Sequence, residues 1–180
     1  MYFIRKFNPE IHHRHSVRLL RWDYSKPGFY FITINSRGQH NMLFGDIIAG
    51  DMVLNVFGTI VQDEWIRTSA IRPFVELDDF IVMPDHFHGI IRLLPHNPVG
   101  AISQIAPTGA RPHGPQRGSI GAIVAQFKMQ TTKRINNLTG RRGGSVWQRS
   151  FYDRIIWGLD DLARVRKYIR DNPQTSIIPE

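Results

Sequence analysis

The segment VMPDHFHGIIRL, Val82 to Leu93, is apolar enough to read as a buried strand, yet it carries two histidines separated by one phenylalanine. Strand side chains alternate between faces, so His86 and His88 project side by side while Phe87 and Gly89 take the other face. Such a pair can meet a polar surface, bond to neighbours or hold a metal ion. A second set lies in RKYIRDNP, where Tyr168 and Asn172 stand four residues apart. On a helix that spacing puts both on one face, about one turn apart. Taken separately, each set has a structural explanation: histidines as ordinary strand residues, Tyr168 as core, Asn172 as a C-terminal cap before Pro173. If the two faces meet, two neutral imidazoles and an amide oxygen make a three-ligand site with open positions, as a catalytic divalent ion requires. The phenol would stand beside it. Phenols are poor nucleophiles at their ordinary pKa of about 10, but a cation that polarises a phosphate oxygen makes attack on phosphorus feasible.

Charge supports a phosphate-bearing partner. Residues 1–28 hold six Lys/Arg against two Asp/Glu, residues 29–94 four against eight, and residues 111–170 thirteen against three. The net charge is +8 and the isoelectric point about 10.3. Basic charge segregated in this way suits a polyanion, with nucleic acid the commonest, against the plainer reading of a solvated basic face. The candidate contacts are Arg14, Arg18 and Arg21 in the N-terminal arm, then Lys128, Lys133, Arg134, Arg141, Arg142, Arg149 and Arg154. The absence of cysteine removes disulfides, thiolate zinc sites and cysteine nucleophiles together, and leaves a reducing, cytoplasmic compartment as the expectation. No apolar run approaches the roughly 20 residues that span a bilayer, and the N-terminus lacks the apolar core of a signal peptide. A membrane partner is not expected. The HExxH metalloprotease pattern, a second His-x-Thr/Ser strand and a P-loop signature are all absent.

These residues must be positioned by a scaffold that hydrophobic periodicity outlines. An arm over residues 1–28 alternates basic and aromatic residues and ends in Pro27-Gly28, a turn signal. FYFITINSR, from Phe29 to Arg37, reads as a strand, and a short strand is expected around Leu43 to Ile48. From Val53, apolar residues at Phe57, Ile60, Val61 and Trp65 have helical spacing. FVELDDFIVMP and DHFHGIIRLLP are two further strands, broken at Pro84 and Asp85. Residues 95–118 are loaded with Gly and Pro and read as a surface loop. A helix carrying Ile123, Phe127 and Ile135, a strand within VWQRSFYDRIIWG, and a last helix ending before Pro173 complete the chain. The order suggests one α+β domain over residues 29–180, an antiparallel sheet with helices packed on one face.

PDHFHG resembles the HUH motif of the single-tyrosine HUH endonuclease superfamily, and the layout as a whole resembles the REP-associated tyrosine transposases. The pieces that carry the likeness span nearly the full chain: HRHSVRL with YSKPGFYFITI, LFGDI, the helix ending in DEW, LDDFIVMPDHFHGII, the Gly/Pro-rich loop, VWQRSFYDRII and LARVRKYIRDNP. The resemblance implies a ferredoxin-like sheet with the histidines on a central strand, a Mg or Mn ion, and single-stranded or hairpin DNA as substrate. It implies a nucleophilic tyrosine on the C-terminal helix, with a covalent 5′-phosphotyrosine and a free 3′-hydroxyl as cleavage products. By position the metal histidines fall on His86 and His88, the nucleophile on Tyr168, and the polar helix ligand, glutamine in many relatives, on Asn172. A cytoplasmic, nucleoid-associated protein is expected, and the sequence leaves its oligomeric state open between monomer and homodimer. Tyr152 is the rival nucleophile, without a polar partner four residues on. A non-catalytic nucleic-acid binder on the same scaffold, or a phosphodiesterase that uses water, is the alternative reading.

Overall fold

Trp65 and the strands around it organise the structure, a computed structural model that describes residues 22–38, 42–96 and 115–175. In chain order the elements are β1 (Gly28–Asn35), β2 (Gly45–Ile48), β3 (Asp51–Leu54), α1 (Val56–Ala70), β4 (Val75–Val82), β5 (His86–Leu93), α2 (Ile120–Thr139), β6 (Tyr152–Ile156) and α3 (Gly158–Thr175). The main sheet has the order β4-β5-β1-β6 and every neighbour pair is antiparallel. With β2 and β3 set aside as a separate hairpin, the succession β1-α1-β4-β5-α2-β6 is the β-α-β-β-α-β ferredoxin-like arrangement. The α+β antiparallel class read from the sequence is therefore the observed one.

Alternation along β1 shows how the layers form. Tyr30, Ile32 and Ile34 are buried in the main core with Trp65, Phe87, Phe127 and Trp147, beneath α1 and α2. Phe29 and Phe31 point the other way, to a smaller cluster of Ile90, Ile156, Leu162, Val165 and Ile169. Leu162, Val165 and Ile169 all belong to α3. The expectation of helices on one face thus holds for α1 and α2, whereas α3 covers the opposite face. The physical reason is in the strands: β1 and β5 carry apolar residues on both faces, and a second apolar face needs its own cover.

Local chemistry sets the helix starts. Asn55 caps α1, its Oδ1 accepting from the backbone N–H of Phe57 and Gly58 while its Nδ2 donates to the carbonyl of Leu43. That cap corrects the reading of a helix from Val53: residues 51–54 pair with β2, and the helix begins only after Asn55. Ser119 caps α2, and Gly140 ends it in the left-handed conformation, with φ of 66°. Pro173 lies within the last turn of α3 rather than beyond it. Trp22 and Tyr24, the described end of the arm, pack against the main core.

Candidate active site

Strand β5 is the second strand of four and pairs on both sides, with β1 and β4. Its alternation sends Phe87 into the main core against Trp65, with ring centroids 4.5 Å apart. Gly89 follows on the same face, and a Cβ there would stand 2.6 Å from Trp65, so the indole occupies space that any side chain would need. His86 and His88 therefore share the other face, as their spacing predicts.

Each imidazole is held through its Nδ1. That of His88 lies 2.9 Å from the hydroxyl of Thr33, its registered partner on β1, and that of His86 lies 2.7 Å from a carboxylate oxygen of Asp85. With Nδ1 engaged, each ring turns Nε2 toward the other, and the two atoms stand 3.1 Å apart. Two lone pairs at that distance repel unless a proton or a cation lies between them. About 3 Å is also the span of two adjacent donors around an octahedral ion with bonds near 2.1 Å. The donor pair fits a divalent cation. Among the described residues no cluster of three His, Cys, Asp or Glu side chains could hold a metal, so further ligands would come from an amide, water or substrate. His88 is 4% exposed, and burial first, with His86 opposite second, pushes its pKa down to about 3. The ring is neutral at ordinary pH, the state in which imidazole ligates metal.

Helix α3 brings the second set to this face. Tyr168 Oη lies 3.4 Å from Nε2 of His88, and the phenol ring stands edge-on to His88 and Phe31. The ring remains 50% exposed, open to a substrate. Asn172, one turn farther along α3, is buried. The helix is held by ion pairs with β4: Arg166 binds both carboxylate oxygens of Asp78 at 2.8 and 2.6 Å, and Arg170 reaches Asp79 at 2.8 Å. Asp78 and Asp79 occupy the register shift between Leu77 and Phe80, where the irregularity turns both toward the helix. At its start, Asp161 accepts from Arg154 and from the backbone of Trp157.

Thr33, Asp85, Asp78 and Asp79 do not stand out in the sequence. Asp85 has a local signal, directly preceding His86, whereas Thr33 becomes visible only through strand pairing. The basic residues divide. Lys133, Arg141, Arg142 and Arg149 are exposed. Lys128 is instead half-buried and donates to the carbonyls of Gln148, Arg149 and Ser150, Arg134 pairs with Glu64 and Asp63, and Arg154 with Asp161. Arg14, Arg18 and Arg21, with most of the 95–118 loop, lie outside the described residues. No helix among the described residues is long and apolar enough to cross a membrane.

No protein-family model matches the chain. An uncharacterized protein of Haemophilus influenzae is 36% identical over 176 residues, covering 93% of this chain and 92% of the relative. A second Haemophilus influenzae protein, described as a "Putative REP-associated tyrosine transposase", is 27% identical over 157 residues, covering 85% of this chain and 74% of that one. Among solved structures, that of a REP-associated tyrosine transposase bound to a REP hairpin superposes with a TM-score of 0.57 at 21% identity, covering 88% of this chain and 73% of that one.

Proposed function

We propose that the chain is a REP-associated tyrosine transposase, which cleaves and rejoins single-stranded DNA beside hairpin-forming repeats through a covalent bond to Tyr168. The observation that carries this reading is the meeting of Tyr168 Oη with Nε2 of His88, itself paired with Nε2 of His86. The solved neighbour bound to a REP hairpin supports hairpin DNA as the partner. His86, His88 and Asn172 are the residues that would hold Mg or Mn, which when bound draws charge from the scissile phosphate.

The chain's own residues do the rest. Asp85, an acceptor only, takes the Nδ1–H hydrogen bond of His86 and leaves its Nε2 free to ligate. The Thr33 hydroxyl, able to accept from Nδ1 of His88, permits the same tautomer there. Phe31 and His88 hold the phenol ring at its edge, so that Oη faces the site. Tyr168 Oη gives up its proton and bonds to phosphorus, the P–O3′ bond breaks, and the departing oxygen takes a proton to become a free 3′-hydroxyl. The phosphate stays joined to tyrosine and to the 5′ side of the downstream strand. Attack by a 3′-hydroxyl on this phosphotyrosine reverses the step and rejoins DNA. Action on DNA sets the cytoplasmic nucleoid as the place of work.

Tyr168→Phe tests the reading, because it removes one oxygen and keeps the ring. With a REP hairpin oligonucleotide and Mn or Mg, wild-type protein is expected to form a covalent adduct stable to denaturant, and Tyr168→Phe none, with DNA affinity nearly unchanged. An adduct in Tyr168→Phe would overturn the assignment. Cleavage without any adduct would make water the nucleophile, and binding without cleavage would leave a DNA-binding protein.

A further inference from the structure

A strand cut at Tyr168 must also be held beside the broken phosphate, and the sheet leaves one corner of the reactive face open. Tyr152 of β6 is registered opposite Thr33 of β1, and Thr33 opposite His88 of β5. Paired residues share a face, so Tyr152, Thr33 and His88 form one row across the sheet on the α3 side. Burial agrees: Ile156, on the same face as Tyr152, joins the cluster beneath α3, while Ile155 joins the main core. Two interstrand spacings, about 10 Å, separate Tyr152 from His88.

Helix α3 does not cover this end of the row. It starts at the other end of β6, where Asp161 meets Arg154, and runs toward β4, where Arg166 and Arg170 meet Asp78 and Asp79. Tyr152 is left 55% exposed on an edge strand. The chain just before it is fixed, because Lys128 donates to three successive carbonyls, those of Gln148, Arg149 and Ser150. That staple sets the course of the strand as it enters Tyr152, and Arg154, two residues on along the same face, is engaged by Asp161. An exposed phenol ring in one row with Thr33 and His88 suits the face of an unpaired base.

We propose that Tyr152 is a stacking platform for an unpaired base flanking the scissile phosphate, so that single-stranded DNA crosses the β6 edge on its way to Tyr168. The proposal rests on the DNA-cleaving reading above. It also gives the second exposed tyrosine a use other than nucleophile: its backbone lies two interstrand spacings, about 10 Å, from that of His88, which suits a neighbouring nucleotide.

The test uses a REP hairpin oligonucleotide with a single-stranded flank carrying 2-aminopurine at successive positions, titrated into wild-type, Tyr152→Ala and Tyr152→Phe proteins with Mg. In wild type and Tyr152→Phe, fluorescence at one flank position is expected to be quenched by stacking. In Tyr152→Ala the quench should disappear and Kd rise about tenfold, equivalent to about 1.4 kcal/mol. Unchanged affinity in Tyr152→Ala, absence of any quenched position in wild type, or equal loss in Tyr152→Phe would overturn the platform. A change of sedimentation in Tyr152→Ala without a change in DNA binding would also overturn it, in favour of an edge that pairs with a second copy. Adduct formation is scored in the same samples. Quenching without an adduct in wild type would refute catalysis and leave the platform, and an adduct without quenching would do the reverse.

Discussion

The two faces of β5 differ in how they are closed. Phe87 meets Trp65, Phe80 and Phe127 in a core sealed by two helices, with no space for a Cβ at Gly89. One residue away on either side, His86 and His88 face a thin layer in which a single helix rests on a few aliphatic residues and is tied down by ion pairs at its flank. The comparison teaches that the alternation of one strand separates the face that supplies burial from the face that carries the candidate site. A face packed to completion has no room for a phosphate, and a face open to a phosphate cannot contribute much burial.

The largest effect expected from breaking this contrast is on the core face. Phe87→Ala removes a ring in contact with three others and should cost about 3–5 kcal/mol, read by urea denaturation. His86→Ala, only one residue away, should cost less than about 1 kcal/mol, yet abolish adduct formation and leave most DNA affinity, which is spread over many cations. Similar stability losses for the two variants would show the faces to be energetically alike.

Smaller and more local is the response of α3. The Arg166 guanidinium, with the backbone N–H of Asp79 and the charge of Arg170 adding to it, holds the Asp78 carboxyl below its usual range. A carboxyl lowered on folding contributes in full above its unfolded pKa of about 3.9, and the contribution is lost as pH falls through the lower folded value. Asp161, held down by Arg154, behaves in the same sense. Protection of the α3 amides, taken relative to the unfolded chain's exchange rate at the same pH, should therefore fall on acidification below about pH 4 before that of β1 and β5 does. Asp78→Asn should show the faster α3 exchange already at neutral pH. If α3 and the central strands open together in both experiments, the histidine face is as firmly closed as the core.

The smallest effects concern cations at the surface. Arg149→Ala should lower the slope of log K against log salt for single-stranded DNA by about 0.7. Arg134→Ala should leave that slope unchanged and reduce stability instead, because buried Glu64 loses the guanidinium that pairs with it at 3.0 Å. The reverse outcome would make Arg134 a DNA contact and Arg149 ordinary surface.

Much of the fold and of the site is legible in the amino-acid sequence because it depends on period and residue type. His86 and His88 share a face by the period of a strand, Tyr168 and Asn172 by that of a helix, and the strand-helix order alone implies an α+β sheet. Periodicity misplaces the start of α1 because apolar spacing runs unbroken from β3 through Val53, and only the cap by Asn55 and the pairing of β3 with β2 divide them. Arg134 and Lys128 read as free cations because a sequence does not show which carboxylate or carbonyl a long side chain will reach.

By itself, then, the sequence determined which side chains lie together within one element, since backbone geometry sets that locally. Only the tertiary structure decided which elements face one another: that α3 crosses to the side opposite α1 and α2, that Thr33 stands beside His88 across 55 residues, and that Tyr168 meets His88 across 80. The reason is physical. Such meetings follow from burying both apolar faces of β1 and β5 at once and from the pairing of Arg166 and Arg170 with Asp78 and Asp79, and no local period encodes either.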